Sequence, residues 1–150
     1  MLCVKLTLWS DFTRCVKLIT LVLYTHYQRS MNVNWDDVKI QNSPETWLDW
    51  IEEGVKRYEG RIYRGRFAKM ISGDKITFVS DNKRVKVCVV SINRFRSFGD
   101  AFEVLGSELV PIPGSTRDSV DSLYSKIFNT EQDKADIRDF GVVAIEIQLI

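Results

Sequence analysis

GVKRYEGR, residues 54–61, is the stretch from which the fold and a candidate site can be worked out. It follows a segment that predicts an α-helix, because Ser43 offers an N-cap, Pro44 suits the first helical position and apolar residues recur at helical spacing to about Glu53. Gly54 lies just past the last apolar turn, where a left-handed backbone favours glycine. The stretch therefore begins where a helix stops.

The acid and the bases of this stretch are expected to meet on one face. Residues 58–67 mix aromatic residues and arginines in near alternation, which predicts a strand or an extended loop. On a strand, Glu59 and Arg61 point to the same side and can form an ion pair, while Lys56 at the preceding bend can swing over that side. One carboxylate would then orient two bases.

Such an arrangement suits a pocket for a polar, planar ligand. A carboxylate at Glu59 can accept hydrogen bonds from the edge of a nucleobase, while Lys56 or Arg61 can hold a phosphate or carbonyl oxygen. Tyr58 and Tyr63 are candidates for stacking on the base. The pattern therefore indicates a site for a nucleotide, a nucleoside or RNA.

Six bases and one acid lie between residues 56 and 69, which is consistent with a track for phosphate groups. Arg94 and Arg96 are candidates to extend this surface. The alternative is a solvated basic edge strand that prevents aggregation, with Glu59 in a surface salt bridge. The six bases are Lys56, Arg57, Arg61, Arg64, Arg66 and Lys69.

The rest of the chain predicts an α+β fold of five or six strands and about three helices, in which helices interrupt a small curved sheet. The apolar stripe of the helix near residues 120–128 is expected to pack in the core. The segment 131–139 is interpreted as either a charged surface helix or a turn. Further strands are expected at 75–79, 84–93 and 141–150, and further helices at 98–105 and 115–128.

Composition excludes several classes of protein. The chain has 150 residues, 45% hydrophobic and 27% charged, with a formal net charge of +1, so affinity for nucleic acid must come from a local cluster. Cys3, Cys15 and Cys88 lack C-x-x-C spacing, which argues against a disulfide framework or a zinc site and favours an intracellular, cytoplasmic or nuclear setting. His26 is the single histidine, and the glycines form no phosphate-binding fingerprint, so neither metal nor organic cofactor is expected.

The first 30 residues differ from the others. They carry four bases and one acid, whereas the remaining 120 residues carry 17 bases and 19 acids. The longest uncharged run has 11 residues, fewer than the roughly 20 that a membrane-spanning helix needs, and Asp11 and Arg14 interrupt a signal-peptide pattern. Residues 1–30 are therefore expected to be a non-native or loosely attached extension, or else an extra element packed on a domain of residues 31–150.

The spacing of Gly54, Lys56, Glu59 and Arg61 resembles the G-x-K-x-x-E-x-R signature of the ASCH domain family, a small β-barrel similar to the PUA RNA-binding fold. Later segments resemble one branch of that family in the same order, so that the resemblance covers about residues 40–150. These segments are SGDKITF at 72–78, FRSFGDAFEVLG at 95–106, SVDSLYSKIF at 119–128 and FGVVAIEIQLI at 140–150.

The resemblance implies a cleft beside the barrel, lined by Lys56, Glu59 and Arg61, that binds RNA or a nucleotide. It also implies a role in RNA metabolism or in the regulation of transcription or translation. The family signature and the bases and aromatics around it predict a set of ligand-binding residues. They are Gly54, Lys56, Tyr58, Glu59, Arg61, Tyr63 and Arg64.

Enzymatic alternatives come from the same resemblance. Some bacterial members are amidohydrolases that deacetylate N4-acetylcytidine, but they carry threonine where this chain has Glu59. Hydrolysis here would need Glu59 to activate water and Lys56 or Arg61 to stabilise the oxyanion, with Glu108 or Glu103 as the second glutamate. A ribonuclease would also depend on Lys56 and Glu59, and a protein-interaction module would leave the cleft unused. The sequence indicates no oligomeric state.

Overall fold

The sheet of this protein is a curled half-barrel of five strands, seen in a computed structural model that describes residues 32–40, 46–81 and 83–150. The strand order is β1-β3-β4-β5-β2, and every neighbouring pair is antiparallel except β1 with β3. The strands are β1 at Asn34–Lys39, β2 at Tyr58–Ile62, β3 at Lys75–Ser80, β4 at Lys83–Phe95 and β5 at Val142–Leu149.

The four α-helices of the described residues lie between β1 and β2 and between β4 and β5, and three of them begin at a side-chain cap. Ser97 caps the second helix through the N–H of Asp100, and Thr116 and Thr130 begin the next two with capping boxes. The α-helices are α1 at Trp47–Glu52, α2 at Phe98–Leu105, α3 at Arg117–Ile127 and α4 at Glu131–Phe140, with 3-10 turns at Gly65–Ala68 and Gly106–Glu108.

The curl of the sheet follows from the length of β4. This strand of 13 residues pairs with β3 along its first half and with β5 along its second, and its register shifts between Val89 and Ser91. The two edge strands, β1 and β2, approach each other where Arg61 Nη2 donates to the Lys39 carbonyl at 2.9 Å. We call this approach of the two edges the seam.

The hydrophobic core lies inside the curl. Val142, Val143, Ala144 and Ile145 are all buried, because β5 lies between β4 and β2 and both of its faces are covered. Leu48 of α1 is also fully buried. Each full burial of a large apolar side chain stabilises the fold by about 1.5–3 kcal/mol.

The predicted α+β class is confirmed, and the described residues form five strands, the lower of the two predicted numbers. Individual elements differ from the prediction. The segment 131–139 is helical, so the described residues hold four α-helices where about three were expected. The segment 58–67, predicted as a strand or an extended loop, is a strand only as far as Ile62, because Gly65 with φ +53° begins a 3-10 turn. Strand β1 was not predicted, because its charged residues hide the alternation.

Several predictions lie outside the described residues. They concern the extension 1–30, which includes Cys3, Cys15 and His26, and the helix-start signals Ser43 and Pro44. Where the structure does describe α1, its N-cap residue is Thr46, which makes no side-chain capping hydrogen bond. Of the described part of the chain, no helix has the length and apolarity to cross a membrane.

Candidate functional site

Lys56, Glu59 and Arg61 come together at the seam. Glu59 lies on β2 with its carboxylate between the two cations, 3.5 Å from Lys56 Nζ through Oε2 and 2.9 Å from Arg61 Nε through Oε1. Glu59 is only 5% exposed, so the alternative prediction that it forms a surface salt bridge on a solvated edge strand is wrong. A buried carboxylate is maintained here by two opposite charges.

Lys56 is the most confined member of this cluster. It is 1% exposed, and Nζ donates to the carbonyls of Tyr58 and Leu109, each at 2.6 Å, while lying 4.7 Å from the centroid of the Trp47 ring. Burial lowers the pKa of Lys56 to about 8, and the attraction of Glu59 opposes that shift. With two carbonyls and Glu59 around its three donors, the ammonium ties β2 to the segment at Leu109.

Arg61 is less completely satisfied. Its Nη2 bonds the Lys39 carbonyl, and its guanidinium carbon lies 5.2 Å from the Phe67 ring centroid. Nε is close to Glu59, but the N–H direction does not make a hydrogen bond, so Nε is a buried donor without a hydrogen-bond partner among the described residues. Arg61 is the cation of the cluster with unused donor capacity.

A small cavity, which we call the seam pocket, opens beside these charges. It has a volume of about 30 Å³, room for about two water molecules. Its walls are mainly aromatic and aliphatic, and its polar groups are concentrated on β2. The lining residues are Ile40, Trp47, Glu59, Gly60, Arg61, Tyr124, Ile127 and Phe128.

Aromatic stacking holds one wall of the seam pocket in place. Tyr124 stacks on Phe98 with ring centroids 3.8 Å apart and planes 7° apart, and Phe128 extends the stack. A Cβ on Gly60 would lie 2.6 Å from Tyr124 Oη, so only glycine allows this approach. Burial raises the pKa of Tyr124, which keeps its hydroxyl protonated and able to donate a hydrogen bond.

The backbone of β2 also faces the seam pocket. The Ile147 N–H donates to the Arg57 carbonyl, and the Tyr63 N–H donates to the Gly141 carbonyl. The peptide N–H and carbonyl groups of the odd-numbered residues of β2 therefore point toward β5. Because an antiparallel ladder alternates, the N–H and carbonyl of Gly60 point to the unpaired edge. The backbone of Gly60 also hydrogen-bonds Tyr124, so the pocket combines a carboxylate and an arginine with this tyrosine–peptide contact.

Other predicted ligand residues lie elsewhere. Tyr58 is on the opposite face of β2 from Glu59, and burial together with Glu146 and Glu108 raises the pKa of its hydroxyl. The structure does not bring Tyr58 into the seam pocket. Gly54 adopts φ +73° at the end of α1, which accounts for glycine there through backbone conformation alone.

The predicted ligand residues that follow residues 54–61, Tyr63 and Arg64, have protein partners. The guanidinium of Arg94 lies over the Tyr63 ring, with its carbon 3.8 Å from the ring centroid. Arg64 forms ion pairs with Asp133 and Asp136 of α4. Neither residue lines the seam pocket, so the structure interrupts the predicted phosphate track at Arg64.

The two candidate second glutamates also lie apart from Glu59. Glu108 pairs with Arg57 at 3.1 Å, and Glu103 faces Arg117 at 3.7 Å. Both ion pairs are largely exposed, and neither glutamate is among the residues that line the seam pocket.

Sequence reasoning missed the walls of the pocket. Trp47 is one of the apolar residues whose helical spacing predicted α1, and Tyr124, Ile127 and Phe128 belong to the apolar stripe near 120–128 that was expected only to pack in the core. The excess of aromatics at the end of that stripe was the one available signal. Within the described ranges, no cluster of histidine, cysteine or acidic residues is arranged to hold a metal ion.

Comparisons with known proteins agree with this architecture. A crystal structure of the hypothetical protein PH0355 superimposes with a TM-score of 0.66 at 28% identity, covering 78% of this chain and 99% of that one. A solution structure of protein PF0455 from Pyrococcus furiosus gives a TM-score of 0.58 at 28% identity, covering 78% and 97%. The comparison with curated proteins found no match. The sequence model of the ASCH domain matches residues 44–150, and the chain belongs to the ASCH domain family.

Proposed function

We propose that the seam pocket binds a nucleobase of RNA or of a nucleotide, and that the protein acts through this binding in RNA metabolism or in the regulation of transcription or translation. The observation that carries the proposal is the buried carboxylate of Glu59, placed between two cations and beside an aromatic-walled cavity. Membership of the ASCH domain family supports an RNA-type ligand.

The chemistry of the pocket suits the edge of a base. Glu59 accepts hydrogen bonds, so it favours bases that present N–H donors, such as the amino group of cytosine, adenine or guanine. Arg61 supplies donors for a carbonyl or phosphate oxygen, and its Nε lacks a hydrogen bond in the described structure. Trp47, Tyr124 and Phe128 offer apolar and stacking surface.

Lys56 has a positioning role in this proposal. Its ammonium is held by two carbonyls and by Glu59, so it orients the carboxylate and does not itself reach the ligand. This differs from the sequence-based expectation that Lys56 holds a phosphate or carbonyl oxygen. The reason is burial, because an ammonium removed from water must satisfy its donors within the protein.

Binding requires the seam pocket to widen. A base is larger than the cavity of about 30 Å³, so the half-buried side chains of Ile127 and Phe128 must move. Phe128 is the C-cap of α3, where the helix no longer constrains the backbone. We therefore expect ligand binding to change the environment of Trp47 on the facing wall.

The amidohydrolase alternative has less support in this geometry. Tyr124 is the one hydroxyl among the described lining residues, and a raised pKa makes it a poor nucleophile. Glu108 is paired on the surface with Arg57. Incubating the full chain with N4-acetylcytidine should release no acetate, whereas release that is lost in Glu59→Gln would replace the binding proposal with a hydrolase.

A titration of the full chain tests the binding proposal. Tryptophan fluorescence should change on addition of cytidine 5′-monophosphate, with a smaller response to the uridine compound because uracil lacks the amino group. Glu59→Gln should weaken cytidylate binding by about tenfold or more, since it exchanges an acceptor for a donor where the base presents N–H groups.

Glu108→Gln is the matched control, because it neutralises a glutamate outside the pocket. It should leave cytidylate binding unchanged, and circular dichroism should show that both variants are folded. Equal affinities for wild type and Glu59→Gln would overturn the assignment of the pocket.

A further inference from the structure

A second group of cations lies on the same face of the sheet as Arg61. Val143 of β5 pairs with Arg61 of β2 on one side and with Arg94 of β4 on the other. Directly paired residues project from the same face, so Arg61 and Arg94 share a face and are two strand spacings, roughly 10 Å, apart. The register of the sheet therefore places Arg94 on the face that carries Arg61.

Arg94 is held in one orientation. Its guanidinium carbon lies 3.8 Å from the centroid of the Tyr63 ring, and Nη2 donates to the Phe140 carbonyl at 2.9 Å. A guanidinium has five N–H donors, so stacking and one hydrogen bond leave donors for a ligand. The residue is exposed, and its charge has no acidic partner in the described part of the chain.

Arg94 opens onto a groove of about 620 Å³, which we call the arginine groove. Arg96 and Arg138 also line it, against a single acid, Asp139, which pairs with Arg138 at 3.0 Å. Phe140, which is 52% exposed, supplies an aromatic surface on the same wall. The groove is therefore positively charged and carries an aromatic side chain.

Gly141, which lines the groove, lies directly against the backbone of β4. A Cβ at this position would lie 2.5 Å from the Phe95 carbonyl oxygen, and φ is +77°, so no other residue fits without a shift. Close contact with the β4 backbone and the positive φ therefore account for glycine at this position, and the groove is lined here by main chain.

We infer that the arginine groove binds the phosphodiester backbone of a single-stranded nucleic acid whose base occupies the seam pocket, an inference that rests on the proposed function. Guanidinium groups match phosphate oxygens, and an exposed Phe140 can stack on a neighbouring base. Glu59 and Arg94 are separated by roughly 12 Å across the face, and the groove continues to Arg96 and Arg138.

The distance from Glu59 to the far end of the arginine groove decides the class of ligand. A nucleoside whose base contacts Glu59 does not reach Arg96, whereas an oligonucleotide of a few residues contacts the seam pocket and the groove together. Each phosphate neutralised on a single strand adds about 0.7 to the slope of log affinity against log salt concentration. The structure therefore assigns an oligonucleotide, and the groove should supply much of its salt-dependent affinity.

The test compares a labelled cytidine hexanucleotide of RNA with cytidine 5′-monophosphate, using the full chain. Fluorescence anisotropy gives the hexanucleotide affinity at several salt concentrations, and tryptophan fluorescence gives that of the monophosphate. The double variant Arg94→Gln/Arg96→Gln should weaken hexanucleotide binding by roughly tenfold or more at 0.1 M salt and lower the salt slope by about 1.4, with monophosphate binding unchanged.

The matched control is Lys75→Gln/Lys86→Gln, which removes two exposed positive charges outside the groove and should alter hexanucleotide affinity little. The single variant Arg96→Gln is a control for misfolding, because Arg96 is exposed and its replacement should not disturb the fold. This variant should lower the salt slope by about 0.7. An unchanged slope in the double variant would overturn the groove, while the effect of Glu59→Gln would still stand. Hexanucleotide binding that depends on the groove but not on Glu59 would overturn the seam pocket alone.

Discussion

Arg61 and Arg64, three residues apart, both face carboxylates, and the contrast between them separates a candidate binding site from a structural clamp. Arg64 bonds Asp133 through one terminal nitrogen and Asp136 through the other, joining the end of β2 to α4. The hydrogen bond that Arg64 donates to Asp136 lowers the pKa of that carboxyl group and raises the pKa of Arg64. The clamp is fully paired.

At the seam the pairing is different. Glu59 is shared between a buried lysine and Arg61, whose Nε has no hydrogen bond in the described structure, and a cavity adjoins them. Polar groups that the fold leaves incompletely satisfied have donors to offer a ligand. The comparison teaches that bases only three residues apart serve different purposes, and that charge density alone does not locate the site.

The largest effect on this comparison is expected from Lys56→Ala. It removes the ammonium, leaves Glu59 buried with one cation and deprives the carbonyls of Tyr58 and Leu109 of their donor. Breaking a buried ion pair costs about 3–5 kcal/mol of unfolding free energy. Urea denaturation measures this loss, and exposed Lys86→Ala should change stability by less than about 0.5 kcal/mol. Equal stabilities of wild type and Lys56→Ala would contradict the role of Lys56 in tying β2 to the segment at Leu109.

Stability should also depend on pH through Lys56. Its folded pKa of about 8 is below the ordinary lysine value of 10.5, so between those values the unfolded chain binds more protons and stability rises with pH. For this group alone the rise would be about 3 kcal/mol, taking 1.36 kcal/mol per pKa unit. The unfolding free energy of wild type minus that of Lys56→Met should increase from pH 8 to 10.5. A constant difference would refute the lowered pKa.

Gly60→Ala sharpens the comparison at the wall of the pocket. The added methyl would meet Tyr124 Oη at 2.6 Å, and Tyr124 is stacked on Phe98. Overpacking of this kind costs about 1–3 kcal/mol, and the displaced ring should also weaken cytidylate binding. Thermal unfolding and the fluorescence titration measure the two effects together. A variant with wild-type stability and affinity would show that Tyr124 does not form a fixed wall.

The smallest effect belongs to the clamp. Arg64→Gln removes both ion pairs to α4, and because the Arg64 side chain is 39% exposed, the loss of stability should be about 1 kcal/mol. Cytidylate binding should remain at the wild-type value, since Arg64 does not line the seam pocket. A large loss of affinity in a folded Arg64→Gln protein would return this residue to the binding site.

Local signals in the sequence predicted much of the architecture. The alternation of Val85, Val87 and Val89 predicted a strand, and these residues are buried on the inner face of β4. The helix predicted over 115–128 is α3, which begins at Arg117 because Thr116, and not Ser115, is its N-cap. These elements were predictable because caps and periodicity depend on neighbouring residues.

The ion pair of Glu59 with Arg61 was predictable for the same reason. Residues two apart on a strand share a face wherever that strand lies. The family resemblance from the spacing of Gly54, Lys56, Glu59 and Arg61 is likewise confirmed. The sequence by itself therefore determined the family, the α+β class and the pairing within β2.

Only the tertiary structure decided how these charges are used. The curl of β4 brings Lys39 to Arg61, and the docking of α3 places Tyr124 against Gly60. Because Lys56 is buried, its ammonium is bound to protein groups and holds Glu59 and the segment at Leu109 in place. The strand register places Arg94 on the same face of the sheet as Arg61. These relations join residues distant in sequence, and their energies depend on desolvation and on partners that no local pattern specifies.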